Sequence, residues 1–465
     1  MSIFINRGNE LQLLERRYKG NKSEFIIIYG RRRIGKTELI KQFYGDKPHI
    51  YYLCTKENDM LQLEKIAKRI ADHFNERQPV LSSWEDLFAY LSERSTKRLV
   101  FVVDEFPYLV EKNRAMPSLF QLAWDEYFKG TKLFLILCGS SVAMMERLLG
   151  SKSPLYGRRT GQLDVTPLAI RDAFKFFPHY TIAQKIAAYS VVGDVPMYLL
   201  EFDDKKDIIA NIKETILRTD AILYKEPLFL LREELRDPAT YLTILEGCTK
   251  PVRMNEIATK TGIAVHKLPK YLSVLQNLKY LKKLTKVTER KAKTKNTLYT
   301  ITDNLFRFWF RFVYPNLSDI EGGDLDKVVK KLEAEITAFV GAPFENVCRA
   351  FIADTSQLNK PLWKFNKIGP WWGHYRKDGE RKELEIDLIA LNDTTKEIMF
   401  CECKWQEKVD ARKIVDELKA KAKFVDWNNG KRLERYCVFA KSFKEKTTDK
   451  EFLLFDLTDL EKMFV

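Results

Sequence analysis

The sequence feature that most constrains the fold is the segment FIIIYGRRRIGKT at residues 25–37. Its apolar run from Phe25 to Tyr29 predicts a buried parallel strand. The residues that follow match GxxxxGK[ST], a phosphate-binding loop that joins a strand to a helix. A chance match in an ordinary strand–turn–helix is the alternative, but the second half of the same signature occurs further along the chain. The segment therefore predicts a P-loop nucleotide-binding core.

The residue types in this loop suit the binding of a triphosphate. Gly30 and Gly35 permit backbone angles and close approaches that a side chain would block. Successive backbone N–H groups and the helix N-terminus form a cradle for phosphate oxygens. We predict that Lys36 reaches the β- and γ-phosphates of ATP and that the Thr37 hydroxyl binds Mg²⁺. The residues predicted to line the nucleotide are Gly30, Arg31, Arg32, Arg33, Ile34, Gly35, Lys36 and Thr37. The role of the three arginines is left open, since they are either simply exposed or face a polyanion.

A second apolar strand, residues 99–103, ends in the acids Asp104 and Glu105. Ligands of open α/β sheets bind at this carboxyl edge of the strands. Asp104 is predicted to hold Mg²⁺ through water, and Glu105 to be the base that polarises the attacking water. The alternative is a strand that ends in a solvated acidic pair.

Two later segments offer contacts to the γ-phosphate. The strand at residues 132–138 leads to Ser140, a small polar residue suited to contact the γ-phosphate or the attacking water. In the loop YGRRT, Arg158 is predicted to stabilise γ-phosphate charge, within one chain or from a neighbouring subunit. Two exposed arginines, Arg158 and Arg159, explain the loop equally well. Residues 168–200 are predicted to form a helical lid on the nucleotide domain.

Composition limits the class of protein. A length of 465 residues predicts about three domains. The formal net charge of +15 favours a polyanionic partner such as DNA, although a basic surface also aids solubility. The seven cysteines include no CxxC pair, which predicts a reducing cytoplasm and no structural metal. We expect no signal peptide, no membrane span and no membrane partner.

Residues 238–302 predict a winged helix. Three short helices, at residues 241–246, 254–259 and 266–278, precede a predicted β-wing at residues 279–302. The recognition helix has few base-reading side chains, so we expect contacts to the DNA backbone without sequence specificity. A protein-binding winged helix is the alternative. The basic residues of the wing are Lys282, Lys283, Lys286, Arg290, Lys291, Lys293 and Lys295.

The C-terminal third contains two alternating strands, at residues 384–390 and 398–405. Folding a hairpin between Thr394 and Thr395 sets Asp387 opposite Glu402, with Lys404 on the same face. Two adjacent carboxylates repel unless a cation joins them, and Mg²⁺ suits oxygen ligands, so Asp387 and Glu402 are predicted metal ligands. Lys404 would orient or deprotonate a water. The alternative is a surface hairpin with a cross-strand ion pair.

Several motifs together resemble one known family. They are FINRGNEL, YGRRRIGKTELI, VVDEFPYL, CGSS, LYGRRT, VGDVPMYL and KIGPWWG…LEIDLIAL…FCECKW. The chain resembles the archaeal-type AAA-like P-loop ATPases that continue into a winged helix and a restriction-endonuclease-like domain of the D…ExK type. The resemblance implies ATP and Mg²⁺ at the P-loop, and nuclease-type residues at Glu345, Asp387, Glu402 and Lys404.

The expected fold is α/β, in three parts: a P-loop ATPase core with its helical lid (1–232), a winged-helix domain (233–318) and an α/β restriction-endonuclease-like domain (319–465). The first functional hypothesis is a cytoplasmic Mg-dependent ATPase, associated with DNA, whose C-terminal domain cuts or once cut nucleic acid under nucleotide control. The second is a nucleotide-switched regulator that only binds DNA or a protein. The third is an ATPase scaffold without DNA binding. Homo-oligomerisation is left open.

Overall fold

A computed structural model describes residues 4–289, 296–355, 364–377, 380–446 and 451–464. The chain divides into two compact units, Met1–Pro167 and Leu168–Val465. The helices predicted as a lid on the nucleotide domain fall in the second unit, whereas the boundaries drawn from the sequence at 232 and 318 stay predictions. Four basic residues of the predicted wing lie outside the described residues: Arg290, Lys291, Lys293 and Lys295.

The first unit is built on a five-stranded parallel sheet in the order β2–β3–β4–β1–β5. Its strands are β1 (Glu24–Tyr29), β2 (His49–Leu53), β3 (Leu99–Asp104), β4 (Leu133–Gly139) and β5 (Gly161–Asp164). Its helices are α1 (Gly8–Lys19), α2 (Lys36–Tyr44), α3 (Asp59–Phe74), α4 (Trp84–Arg94), α5 (Pro107–Lys112), α6 (Met116–Leu122) with a π-helical turn at Ala123–Phe128, and α7 (Val142–Leu149).

Both faces of this sheet are covered, which explains the continuous apolar run of β1. Phe25 and Ile27 pack into a core on one face, with strand residues such as Phe101. Ile26 and Ile28 pack into the core on the other face. A strand buried on both sides shows no polar alternation, and the predicted buried parallel strand is confirmed.

The second unit begins with helices that pack on its own core. They are α8 (Ile170–Phe174), α9 (Ile182–Val192), α10 (Pro196–Leu200), α11 (Ile208–Ile212) with a π-helical turn at Lys213–Leu217, and α12 (Glu226–Glu234). The helix α9 is apolar on two faces: Ile186 packs in one cluster with Phe344, and Val191 in another with Phe306. This two-sided burial explains why the segment belongs to the second unit.

Three helices and a hairpin follow, in the order predicted from the sequence. They are α13 (Pro238–Gly247), α14 (Met254–Thr261), α15 (Leu268–Asn277), β6 (Leu281–Leu284) and β7 (Leu298–Ile301). The two strands pair antiparallel, with Lys282 opposite Thr300. An isolated antiparallel bridge joins Val252, which precedes α14, to Tyr299.

The aromatic segment at residues 305–314 is helical and packs in the core. The helix α16 (Asn304–Phe308) continues into a π-helical turn at Trp309–Val313, and the Trp309 indole N–H donates to the Tyr224 carbonyl at 2.6 Å. A 3₁₀ turn at Tyr314–Asn316 leads into α17 (Leu317–Glu321). The helix α17 buries Ile320.

The C-terminal part is a five-stranded mixed sheet in the order β12–β11–β10–β9–β8. The pairs β8–β9 and β9–β10 are antiparallel, and β10–β11 and β11–β12 are parallel. Its elements are α18 (Leu325–Thr355), β8 (Lys367–Lys377), β9 (Glu380–Asn392), β10 (Glu397–Lys404), α19 (Ala411–Ala422), β11 (Leu433–Ala440), β12 (Phe452–Phe455) and α20 (Leu457–Phe464).

All seven cysteines lie within the described residues, where each is buried and none forms a disulfide. Among the helices described, none combines the length and the apolar composition that a membrane crossing requires.

Candidate functional site

The loop between β1 and α2 has the geometry that its two glycines predict. A Cβ atom on Gly30 would lie 2.2 Å from the Val165 carbonyl oxygen and 2.5 Å from the Ile34 side chain. Gly35 has a φ of 85°, in the left-handed region that favours glycine. The loop therefore packs tightly against the end of the sheet. Without side chains at the two glycines, its backbone N–H groups can approach an anion closely.

The ammonium of Lys36 lies inside this loop. Lys36 is 6% exposed, and its Nζ donates to the carbonyls of Gly30 at 3.0 Å and Arg31 at 2.9 Å. Burial lowers the pKa of Lys36, since desolvation disfavours the charged form. The carbonyls that accept from this ammonium are neutral, so an anion in the loop would stabilise its charge, and the loop suits a phosphate.

The predicted Mg²⁺ residues of the first unit lie together. The Thr37 hydroxyl donates to Asp104 Oδ2 at 2.9 Å, and the Tyr51 hydroxyl donates to the same oxygen at 2.8 Å. One hydroxyl and one carboxylate at hydrogen-bond distance form an all-oxygen donor set, which fits Mg²⁺. Tyr51, at a position the sequence did not single out, holds the carboxylate from β2.

Glu105 and Ser140 contact each other at the ends of β3 and β4. The Ser140 hydroxyl donates to Glu105 Oε1, and its N–H donates to Oε2 at 3.2 Å. Glu105 has a φ of 53°, an unusual backbone conformation that turns the chain away from the strand. The structure thus brings the predicted base beside the predicted γ-phosphate contact and fixes its carboxylate.

Arg7, in the motif FINRGNEL, contacts the loop. It is 6% exposed, and its guanidinium donates to the Ile34 carbonyl at 2.9 Å and pairs with Glu10 at 3.2 Å. The position of Arg7 in this motif was the available sequence signal. An arginine at the start of a helix is otherwise expected to be exposed to solvent. Of the three loop arginines, Arg32 donates to the Tyr108 hydroxyl at 3.2 Å.

Arg158 forms its hydrogen bonds outside the P-loop. Its guanidinium pairs with Asp125 at 3.0 Å and donates to the carbonyls of Pro154 and Tyr156. Arg159 donates to the Leu149 carbonyl at 2.9 Å. Within the described residues, none of these contacts is to the P-loop, and the role of Arg158 at a γ-phosphate stays a prediction.

The acids of the second unit follow the predicted register. The β9–β10 pairs run from Glu397 with Asn392 to Cys401 with Leu388, so the next pair in the same register is Glu402 with Asp387. Asp387 Oδ2 accepts the Cys403 N–H at 2.8 Å. The predicted hairpin thus brings the two carboxylates to adjacent positions.

Two lysines engage Glu402. Lys404 donates to Glu402 Oε1 at 2.7 Å, and Lys421 donates to both carboxylate oxygens at 3.1 Å. Glu402 is 5% exposed, so these charges compensate a buried carboxylate. Lys404 was predicted from the strand period. Lys421 comes from α19, and no sequence spacing relates that helix to the hairpin.

Further acids stand near this pair. Burial raises the pKa of Glu345, on α18, to about 8, with Asp387 and Glu385 adding to the effect. Burial and Glu402 raise the pKa of Asp387 to about 6. Mutual repulsion in a desolvated place accounts for both. Across the described ranges, however, no group of three or more His, Cys, Asp or Glu side chains is arranged to hold a metal.

Two protein-family models match parts of the chain, and one relative matches nearly all of it. A family described as "ATPase domain predominantly from Archaea" matches residues 4–202, and one described as "Archaea bacterial proteins of unknown function" matches residues 309–414. The uncharacterized protein MJECL04 of Methanocaldococcus jannaschii is 35% identical over 465 residues, which span 98% of this chain and 100% of that protein. The chain belongs to the same family as that protein, with an archaeal-type ATPase domain at its N-terminal end.

Shorter and more distant likenesses exist. The uncharacterized ATP-binding protein MJ0423 of the same organism is 56% identical over 45 residues, 10% of this chain and 76% of that protein. The Walker-type ATPase PABY2304 of Pyrococcus abyssi has a TM-score of 0.49 at 20% identity, over 66% of this chain and 96% of that chain. The Aeropyrum pernix ORC2 protein has a TM-score of 0.45 at 14% identity, over 72% and 98%. Neither structural likeness bears on function.

Proposed function

We propose that the first unit hydrolyses ATP with Mg²⁺. The observation that carries this proposal is the contact between Thr37 and Asp104 at 2.9 Å, beside an ammonium buried inside the P-loop. Lys36 would leave the loop carbonyls for phosphate oxygens. Thr37 and Asp104 would hold Mg²⁺, which supplies charge neutralisation on the phosphates when bound.

In this proposal Glu105 orients the attacking water. Glu105 follows β3 at the carboxyl edge of the sheet, and a carboxylate there suits general-base work, which contributes about 10²–10⁴-fold in rate. Its present hydrogen bonds to Ser140 occupy both carboxylate oxygens. Exchange of one of them for a water would place Ser140 and Glu105 on the same water molecule.

Two substitutions separate binding from hydrolysis. Lys36→Ala is expected to abolish binding of a fluorescent ATP analogue. Glu105→Gln is expected to bind it normally and to lower phosphate release by about 100-fold or more. Lys41→Ala is the control, because Lys41 is on the same helix, is half-exposed and pairs with Glu38. Hydrolysis by Lys36→Ala at the wild-type rate would refute the proposal.

We further propose that the C-terminal domain is nuclease-like and that the full chain associates with DNA. The adjacent Asp387 and Glu402 with Lys404 support a D…ExK site. The residues fit a divalent cation as two carboxylates that repel in its absence. Asp387 and Glu402 would hold the cation, which would activate a water when bound.

DNA association has separate support. Helices α13–α15 followed by a hairpin, with the bridge from Val252 to Tyr299, are the element order of a winged helix. The formal charge of +15 supports contacts to a phosphate backbone. We expect binding without sequence preference.

One observation favours a second candidate function. Both oxygens of Glu402 are already bonded by lysines, and the described residues provide no three-ligand metal group. A C-terminal domain that binds DNA or a protein under nucleotide control, without cutting, accounts for this arrangement.

Metal-dependent cleavage distinguishes the two candidates. Plasmid, single-stranded and branched DNA are incubated with wild type, Asp387→Ala and the control Asp416→Ala, an exposed residue on α19. Cleavage that needs Mg²⁺ or Mn²⁺ and is lost only in Asp387→Ala supports the nuclease. No cleavage by wild type with any substrate or metal leaves the regulator, and binding without a salt slope excludes DNA association.

A further inference from the structure

One pocket of the second unit combines opposite charges from four parts of the fold. The β6–β7 hairpin, α16, α18 and the C-terminal sheet each contribute residues that line the pocket. The cavity measures about 100 Å³, several times the roughly 10–15 Å³ that one water molecule requires. Its charged lining residues are Lys282, Arg307, Glu345, Arg349, Glu385 and Asp387.

Three cations reach this pocket from three different elements. Lys282 lies on β6, Arg307 on α16 and Arg349 on α18. In the described part of the chain, none of the three forms an ion pair within 4.0 Å. Burial, together with Arg349 and Arg307, lowers the pKa of Lys282 to about 8. Glu345 and Asp194 oppose this lowering, yet the pKa of Lys282 stays below its ordinary value, so the acids offset only part of the cost of gathering three like charges. An anion between the cations would recover more of that free energy.

The hairpin covers the acid cluster on one side. Beyond β6, the Val287 N–H donates to the Pro370 carbonyl of β8 at 3.1 Å. The Lys286 ammonium lies 5.5 Å from the centre of the Trp371 ring. The acids thus line a recess between the hairpin and the sheet, and they are not presented on an open face.

We infer that this recess binds one phosphate of a single nucleic-acid strand through Lys282, Arg307 and Arg349, next to Asp387. The inference rests on the proposed nuclease-like function and names its substrate class. A strand in a duplex cannot enter the recess without its complementary strand, and a duplex is far wider than the recess, since its major groove alone is about 12 Å wide. A single strand can turn one phosphate into a cavity of this size, and proteins bind such strands mainly through their backbone charge.

The hairpin provides a matched control. Lys282 and Lys283 are neighbours on β6, so their side chains point to opposite faces of the strand. Lys282 lines the pocket and Lys283 is exposed. If Lys282 acted only through the overall charge of the protein, its substitution would change binding as much as substitution of Lys283.

Binding is measured on the full chain with a chelator present, so that no cleavage occurs. The probes are a short fluorescein-labelled oligodeoxyuridylate, its oligouridylate counterpart with the same base on ribose, and a duplex capped by hairpins at both ends. Because the winged helix is proposed to bind DNA in the same chain, the readout is the affinity lost in Lys282→Ala, expected to be about tenfold for a single strand and less than about twofold for the capped duplex. A difference in this loss between the two single strands identifies the sugar. Equal losses for single strand and duplex overturn the inference.

Substitutions test the cation set. Lys282→Ala and Arg349→Ala are each expected to weaken single-strand binding about tenfold, the loss of one charged hydrogen bond. Each should also reduce the slope of log K against log salt by about 0.7. Lys283→Ala should change affinity less than about twofold. Equal effects of Lys282→Ala and Lys283→Ala would overturn the inference. Arg349 is exposed, so its substitution does not threaten folding.

The two proposals fail in different ways. If no metal supports cleavage but single-strand binding still depends on Lys282 and Arg349, the nuclease is refuted and the recess stands. If cleavage occurs and its KM is unchanged in both variants, the recess is refuted and the nuclease stands.

Discussion

The residue on which the P-loop geometry depends most is Gly30. The space for a Cβ atom at this position is taken by the Val165 carbonyl and the Ile34 side chain. One of these contacts is to backbone, which cannot move aside as a flexible side chain can. The glycine is therefore required by packing as well as by the approach of a ligand.

Gly30→Ala is expected to destabilise the protein by about 1–3 kcal/mol, because the added methyl overpacks the loop. It should also weaken nucleotide binding, because the loop must shift. Thermal unfolding and titration with a fluorescent nucleotide measure the two effects. Gly130→Ala is the control, since nothing lies within 4 Å of its Cβ position. Unchanged stability and affinity in Gly30→Ala would contradict the close packing.

The proton on Glu345 gives the second unit a pH dependence. Its pKa of about 8 in the folded chain exceeds its ordinary value of 4.5. Between these values the folded chain holds a proton that the unfolded chain has lost, so the contribution of Glu345 to stability is fully present below about pH 4.5 and is lost as pH rises to about 8. Asp387, with its pKa raised to about 6, acts in the same direction. The charged groups that face Glu345 are Asp387, Glu385, Arg307 and Lys282.

Glu345→Gln is expected to reduce this fall in stability between pH 4.5 and 8, since glutamine cannot take up the proton. Urea unfolding at a series of pH values, with a chelator present, measures the slope. Glu333→Gln on the exposed side of α18 should keep the wild-type slope. A wild-type slope in Glu345→Gln would show that Glu345 does not carry the proton.

At the residue scale, the sequence placed Gly30, Lys36, Thr37 and Asp104 because each is fixed by one short motif. Tyr51 could not be found this way. It reaches Asp104 from β2, and only the order of strands in the sheet brings the two together.

At the scale of elements, the hairpin of β9 and β10 was predictable because its turn fixes its register. One residue of shift would move Asp387 to the opposite face, so alternation along both strands left a single solution. The helix α19 has no such constraint. Its position against β10, and hence the contact from Lys421 to Glu402, comes from tertiary packing of Val415 and Leu418.

The N-terminus of α19 offers a test of this element. Asp410 is its N-cap, with a side chain that accepts the Lys413 N–H at 3.2 Å. Asp410→Ala is expected to lower the free energy of unfolding by about 1 kcal/mol. Asp416→Ala, in the exposed middle of the helix, should change it by less than about 0.5 kcal/mol. Equal effects in denaturant unfolding would contradict the cap.

For the whole molecule, the division into two compact units limits what one ligand can stabilise. The sequence assigned the helices after residue 168 to the ATPase core because they follow it directly in the chain. Their apolar faces pack into the cores of the second unit, as Ile186 and Val191 do, and their role as a lid stays a prediction. Pairing of distant surfaces is what a local pattern cannot predict.

Mg·ADP at about a hundredfold above its Kd is expected to add about 2.7 kcal/mol to the stability of the nucleotide-binding unit. Differential scanning calorimetry of the full chain should show this as a raised melting temperature. Lys36→Ala should abolish the shift, and Lys41→Ala should keep it. A shift of equal size in Lys36→Ala would mean that the nucleotide binds elsewhere.

The strand β10, paired with β9 on one edge and β11 on the other, also sets how the second site can change over time. Its residues from Ile398 to Cys403 are all buried, so their amide protons should exchange with deuterium only when the domain unfolds globally. We therefore expect the backbone that carries Glu402 not to open locally. Any switching of the site must come from rotamers of Lys404 and Lys421, or from movement of the β6–β7 hairpin that covers it.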